Sequence, residues 1–280
     1  MRFWIVLLTM VAMATAQTFS PIIQVDGLGI STLQKDMDKP SFLLGYGEIG
    51  AKFTNEPFTF TTSLNVNEDF SLSVKDVKAQ YQNIDQFGVY IGHTEVPFGS
   101  YYTNAVSYSY LRGIQREHDM VVGVTGMVAD NHVIYKVAAI SNDSATLTSA
   151  AVKVDYRSKY VTSDVSVLTT LDTTELALGI TGRFHENWDL TFRGYKNLDN
   201  SFGAGFTELG FYPRPWLAQS IRWDVMGDET SGKSNGSASS LFFLNDNVTL
   251  GVEYAILNDI QNKKLENTTN QVSLLASFVW

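Results

Sequence analysis

Gln271-Val272-Ser273-Leu274-Leu275-Ala276-Ser277-Phe278-Val279-Trp280 closes the chain. Val272, Leu274, Ala276, Phe278 and Trp280 take every second position, and Gln271, Ser273 and Ser277 stand between them. A spacing of two puts each set on one face of an extended strand. One face is greasy and ends on aromatic side chains; the other is wettable.

The same alternation recurs upstream. Phe58, Phe60, Thr62 and Leu64 alternate with Thr59, Thr61, Ser63 and Asn65; Ala150, Val152, Val154 and Tyr156 with Ser149, Lys153 and Asp155; Val248, Leu250, Val252 and Tyr254 with Thr249 and Glu253. Helical spacing is scarce. From residue 130 onward the connections alternate between tight and roomy. Asp130-Asn131, Arg157–Lys159, His185–Asn187, Pro213–Pro215 and Asn245–Asn247 are tight; Ser141–Ser144, Leu171–Thr174, Asn197–Ser201, Gly227–Ser237 and Asn258–Asn270 are longer. Short turns at one end and longer loops at the other mark a membrane β-barrel. Counted back from Trp280, further strands fall at Gln86–Thr94, Phe70–Tyr81, Pro57–Val66 and Phe42–Phe53, and an even count requires one more at Ile22–Ile30. The expected fold is all-β: a transmembrane antiparallel barrel of the outer-membrane porin type, with about sixteen strands of about nine to eleven residues, about fourteen being the next count. Unpaired N–H and C=O groups in hydrocarbon cost several kcal/mol each, so such a sheet must close on itself.

The other terminus reads Met1-Arg2-Phe3-Trp4-Ile5-Val6-Leu7-Leu8 and continues to Ala14-Thr15-Ala16-Gln17. One positive charge, a short apolar run and a small-x-small site predict a secretory signal peptide over residues 1–16, leaving 17–280 as a single barrel domain. Cysteine is absent, so no disulfide holds the fold. Net charge is -9, from 29 acidic and 20 basic residues, which disfavours nucleic acid as a partner. An acidic lumen favours cations; solvated acidic loops account for the same charge equally well. The closing aromatics Phe278 and Trp280 resemble the C-terminal signal read by the barrel assembly machinery of the Gram-negative outer membrane. That resemblance implies an outer-membrane address, with outer-membrane lipid and that machinery as partners.

Strand alternation assigns charged residues to the lumen: Glu48, Lys52, Asp76, Lys78, Lys136, Lys153, Asp155, Asp164, Glu175, Arg183, Asp189, Arg193, Arg222, Asp224 and Glu253. Both signs occur on neighbouring strands. They either set a mixed field across a wet channel or form cross-strand ion pairs that tie the inner wall together. A dedicated anion pathway would want a row of one sign, and this is not one.

The most distinctive segment is Val89-Tyr90-Ile91-Gly92-His93-Thr94-Glu95-Val96-Pro97-Phe98-Gly99-Ser100-Tyr101-Tyr102-Thr103-Asn104. Pro97 and Gly99 end the strand. The segment resembles the LbtU-type siderophore porins and, more distantly, the phosphate-selective porins, in which a strand closes on Pro-Phe-Gly ahead of a loop with a Thr-Asn pair. The resemblance implies that the loop Pro97–Glu117 is the third external loop and folds into the barrel. Pro97, Phe98, Gly99, Tyr101, Tyr102, Asn104, Tyr108 and Tyr110 would then line a constriction, with Arg112, Arg116, Glu117 and His118 at its rim. A loop that caps the mouth from outside is the alternative. The continuation Ala105–Leu111 departs from the acidic stretch usual in such loops, and the chain is shorter than those porins.

The expected function is therefore passive passage of small hydrophilic solutes through a water-filled barrel, with siderophores or ferric chelates as the solutes the resemblance implies. A homotrimer is one assembly open to it. No cofactor and no metal is expected: Cys is missing and no two His stand close in sequence. Only His93, His118, His132 and His185 offer a base, and no G-x-S-x-G or H-E-x-x-H occurs, so the chain does not read as an enzyme. Two rival readings remain open: a structural or adhesive barrel acting through its loops at Gly227–Ser237 and Asn258–Asn270, and a barrel hydrolase.

Overall fold

The computed structural model describes residues 18–32, 41–66, 71–99, 118–141, 147–228, 231–261 and 264–279. They form sixteen strands and no helix. The first eight are β1 Thr18–Thr32, β2 Ser41–Asn55, β3 Phe58–Val66, β4 Leu72–Ile84, β5 Phe87–Glu95, β6 His118–Val128, β7 Val133–Ser141 and β8 Leu147–Arg157. The second eight are β9 Val161–Thr169, β10 Thr174–His185, β11 Trp188–Asn197, β12 Gly203–Arg214, β13 Leu217–Gly227, β14 Ser231–Asn245, β15 Val248–Gln261 and β16 Lys264–Val279. Each strand pairs antiparallel with its neighbours in sequence, and β16 returns to β1, so the sheet is a closed barrel. In the register of the seam Leu28 pairs with Leu275 and Val25 with Phe278, which also pairs with Val248. The strand required by parity, Ile22–Ile30, lies within β1.

Every link at one end is short, whereas links at the other run from two residues after β15 to the 22 between β5 and β6. The links after β2, β4, β6, β8, β10, β12 and β14 are short and share one end with the start of β1 and the end of β16. Inward and outward faces alternate along most of the described strands. In β13, Ala218, Ser220, Arg222 and Asp224 are buried inside while Ile221, Trp223 and Val225 are exposed outside. Outward aromatics gather at the short-turn end: Phe19, Phe58, Tyr160, Phe184 and Trp216 are exposed there, and Trp188 stacks on Phe211 at 4.3 Å. Amphipathic rings at a lipid–water boundary form such a girdle. Ile221, near the middle of β13 and 66% exposed on the outer face, gives a direct test. Ile221→Arg is expected to cost about 2–4 kcal/mol, the penalty of a cation on the lipid side near mid-membrane. Denaturant unfolding from lipid vesicles reads it.

Two expectations are corrected. Strands run from 9 to 16 residues; half keep to the expected length and the rest exceed it. Consequently Gly227–Ser237 and Asn258–Asn270 are not long loops. β14 starts at Ser231, β15 runs to Gln261 and β16 starts at Lys264. Their Gly, Ser and Asn residues read as loop because polar strand extensions beyond the apolar band lose the greasy half of the alternation. The adhesive reading loses the two loops on which it stood.

Candidate functional site

The decisive geometry begins where β5 ends. Phe98 N–H donates to Val96 O at 2.7 Å, closing a three-residue turn around Pro97, whose fixed φ suits it. Gly99 follows with φ 71, a left-handed backbone that favours glycine. This turn throws the chain inward. Val96 and Phe98 are buried against Ala138, Ile140, Ala151, Leu168 and Tyr195, all on the inner faces of β7 to β11. The Phe98 ring meets the Tyr195 ring edge-on, with centroids 6.2 Å apart. Gly99 N–H donates to Ser166 Oγ at 2.8 Å, and Lys153 Nζ donates to Gly99 O at 2.5 Å. A segment leaving β5 is thus pinned to β8 and β9, across the inner faces of the two intervening strands.

Of the loop residues expected at a constriction, Pro97, Phe98 and Gly99 are therefore brought to the inner wall. Tyr101, Tyr102, Asn104, Tyr108, Tyr110, Arg112, Arg116 and Glu117 lie outside the described residues, as does Trp280. His118 opens β6 opposite Glu95. His132 and His185 sit at short turns: His132 Nδ1 is 3.0 Å from Ala129 O, and His185 Nδ1 accepts from Asn187 N–H at 3.3 Å.

The predicted lumen residues fall on inner faces but are unevenly sorted. Lys52, Lys78, Lys136 and Lys153 stand on β2, β4, β7 and β8. Lys136 is directly opposite Lys153 in the ladder. Lys153 Nζ also lies 3.8 Å from Asp155 Oδ1. On β12 to β15 carboxylates dominate: Glu208, Asp224 and Glu253 share one buried charge group with Arg222, each 1% exposed. Arg222 Nε donates to Asp224 Oδ2 at 2.6 Å, and Glu208 is its ladder partner. Between these groups Arg193 on β11 pairs with Asp164 on β9. Arg183 is exposed at the end of β10, opposite the buried Asp189, whose Oδ2 accepts from the Tyr212 hydroxyl at 2.7 Å.

Sequence reasoning missed three members of this wall. Lys75 pairs with Glu48 at 2.6 Å. Strict alternation from Asp76 and Lys78 sends Lys75 outward, but the ladder slips between Ser63/Asp76 and Leu64/Val74. The bulge turns Lys75 to the inside. Glu208 was missed because the inward residues around it, Ala204, Phe206 and Gly210, are not polar. Ser166 was missed because a lone inward Ser carries no signal until the loop lands on it.

No protein-family model matches the chain, and no characterised protein matches it by sequence. Solved structures do match by shape. OprB of Pseudomonas putida superposes with a TM-score of 0.77 at 8% identity, covering 98% of this chain and 96% of that one. The outer membrane channel DcaP of Acinetobacter baumannii gives 0.73 at 11% identity, covering 94% and 97%. The anion-selective porin from Comamonas acidovorans gives 0.71 at 10% identity, covering 94% and 99%. The fold is that of an outer-membrane porin barrel.

Gly179 leaves the room on the inner wall that lets the Arg193 guanidinium reach Asp164. Gly179 on β10 stands between Asp164 and Arg193 in the ladder. A Cβ there would lie 1.9 Å from Arg193 Nη1. Gly179→Ala is expected to push the guanidinium off Asp164, whose side chain is 6% exposed. A cost of about 1–3 kcal/mol follows from leaving a buried acceptor unmatched. The urea midpoint for unfolding from micelles measures it.

Proposed function

We propose that this chain is a passive outer-membrane channel for small hydrophilic solutes. The observation that supports it most is the inward path of Val96–Gly99 onto the inner wall of β7 to β11. A barrel that only displayed its rim would have no use for a segment fixed inside it. Charged side chains of both signs on that wall suit a wet passage. In this reading the segment that starts at Pro97 narrows the lumen, and solute passes between it and the wall.

Residues 1–16 act as the signal peptide, and the β16 terminus with Phe278 and Trp280 serves the assembly machinery of the Gram-negative outer membrane. Siderophores or ferric chelates are the solutes favoured by the likeness of Val89–Asn104 to LbtU-type porins. Growth on chelated iron with and without the gene tests that choice. Native electrophoresis reads whether the barrel works alone or as a homotrimer. The channel itself is tested in planar bilayers, where purified protein is expected to give stepwise, ohmic conductance. Protein that inserts and stays silent would refute the proposal, as would liposomes that fail to swell in small sugars.

A further inference from the structure

We infer that the inner wall between β4 and β7 carries a binding subsite for a small oxyanion, a carboxylate or a phosphate. The inference deepens the channel reading, on which its role in transport rests. A cavity of about 220 Å³ opens here, bounded by Lys78, Gln80, Tyr90, Glu95, Thr125 and Lys136 among others. Among the described residues neither Lys78 nor Lys136 makes an ion pair. Lys136 faces Lys153 directly in the ladder, an arrangement that weakens a sheet. Asp155 offsets part of the charge on Lys153, which also donates to Gly99 O, whereas Lys136 has no carboxylate paired with it among the described residues. Charges placed against the interest of the fold point to a ligand that completes them.

A second, uncharged group points the same way. Tyr90 is 8% exposed, and its hydroxyl is buried with no hydrogen-bond partner. A buried hydroxyl left unpaired costs free energy that a bound acceptor would recover. The ring lies over Gly123, where a Cβ would come within 2.6 Å of Tyr90 Cζ. Two ammonium groups and a phenolic donor around one cavity suit the oxygens of a small anion. The opposing charges are Asp76, beside Lys78, and Glu95, at the cavity's edge. Glu95 fixes the sign of the test, because its carboxylate repels an anion and attracts a cation.

The test is equilibrium dialysis of the detergent-folded full chain against labelled inorganic phosphate and, separately, labelled succinate, at low ionic strength. A heat-dependent shift on a denaturing gel verifies folding of each variant. Saturable binding of at least one probe is expected. Lys78→Gln with Lys136→Gln should weaken it about tenfold or more, as loss of charge-assisted hydrogen bonds does. Tyr90→Phe should weaken it a few-fold, Glu95→Gln should tighten it, and Lys233→Gln, at the far side of the barrel, should leave it unchanged. The stronger probe tells phosphate from carboxylate. No saturable binding, indifference to the lysine pair, or weakening by Glu95→Gln overturns the inference. Bilayer conductance of the same preparation is read separately, so a silent channel and an empty subsite are distinct failures.

Discussion

Phe98→Ala is expected to raise single-channel conductance and make the current noisier. Phe98 is 1% exposed and packs beside Ile140 and Leu168, both fully buried. Truncating a buried Phe removes about 3–5 kcal/mol of packing. What then holds the segment is the smaller Val96 side chain and the pair of hydrogen bonds at Gly99, to Ser166 Oγ and from Lys153 Nζ. Each bond contributes about 1 kcal/mol net, or somewhat more where a charge takes part. The packing lost is comparable with the hold retained, so the segment leaves the wall for a sizeable fraction of the time. Lys153→Met, which removes one bond and keeps the ring in place, should act in the same direction and more weakly. Single-channel recordings of both variants decide the matter. Unchanged amplitude and unchanged noise in Phe98→Ala would mean that the docked segment does not govern the passage.

Arg222→Met should destabilise the barrel by about 3–5 kcal/mol, the usual result of removing one partner from a buried charge group. Arg222 is the cation among Glu208, Asp224 and Glu253, and all four are 1% exposed. With the guanidinium present the group already holds two more negative charges than positive. Without it, three carboxylates face one another out of reach of bulk water, where their repulsion is little screened. Arg222→Lys should recover only part of the loss, because a lysine ammonium cannot present the guanidinium's several fixed donors at once. Adding Glu208→Gln and Asp224→Asn to Arg222→Met should restore most of it, since the remaining Glu253 no longer has close like charges. Unfolding in urea, followed by tryptophan fluorescence in micelles, gives the midpoints. A triple variant no more stable than Arg222→Met would show that side-chain shape, and not charge, sets the cost.

Much of the architecture was written locally. The alternation in Val272–Trp280, repeated from Phe58–Leu64 to Val248–Tyr254, sets which side chains face out, because a strand turns by half a circle per residue. Turn residues set the short end, and parity required β1 before any contact was known. The inward positions of Lys153, Asp189, Arg222 and Glu253 followed from the same period. Strand ends were less legible: Ser231–Ser237 has no apolar face and Asn258–Gln261 only the single Ile260, and a strand without a greasy side resembles a loop.

Where the Pro97 segment lands was not written locally. Pro97 and Gly99 announce a bend, but nothing near them names Ser166, Lys153 or Tyr195, which come close only because the closed sheet curls β8 to β11 around the same lumen. Lys75 reaches Glu48 through a one-residue slip in pairing, a property of two strands together. The gathering of lysines on β2 to β8 and of carboxylates on β12 to β15 is likewise a fact of circumference. The chain alone determined a sealed cylinder with one greasy and one wettable face, because backbone sterics and hydrogen bonding act between neighbours. Tertiary structure alone decided what shares the interior, because closure brings together residues that no period along the sequence relates.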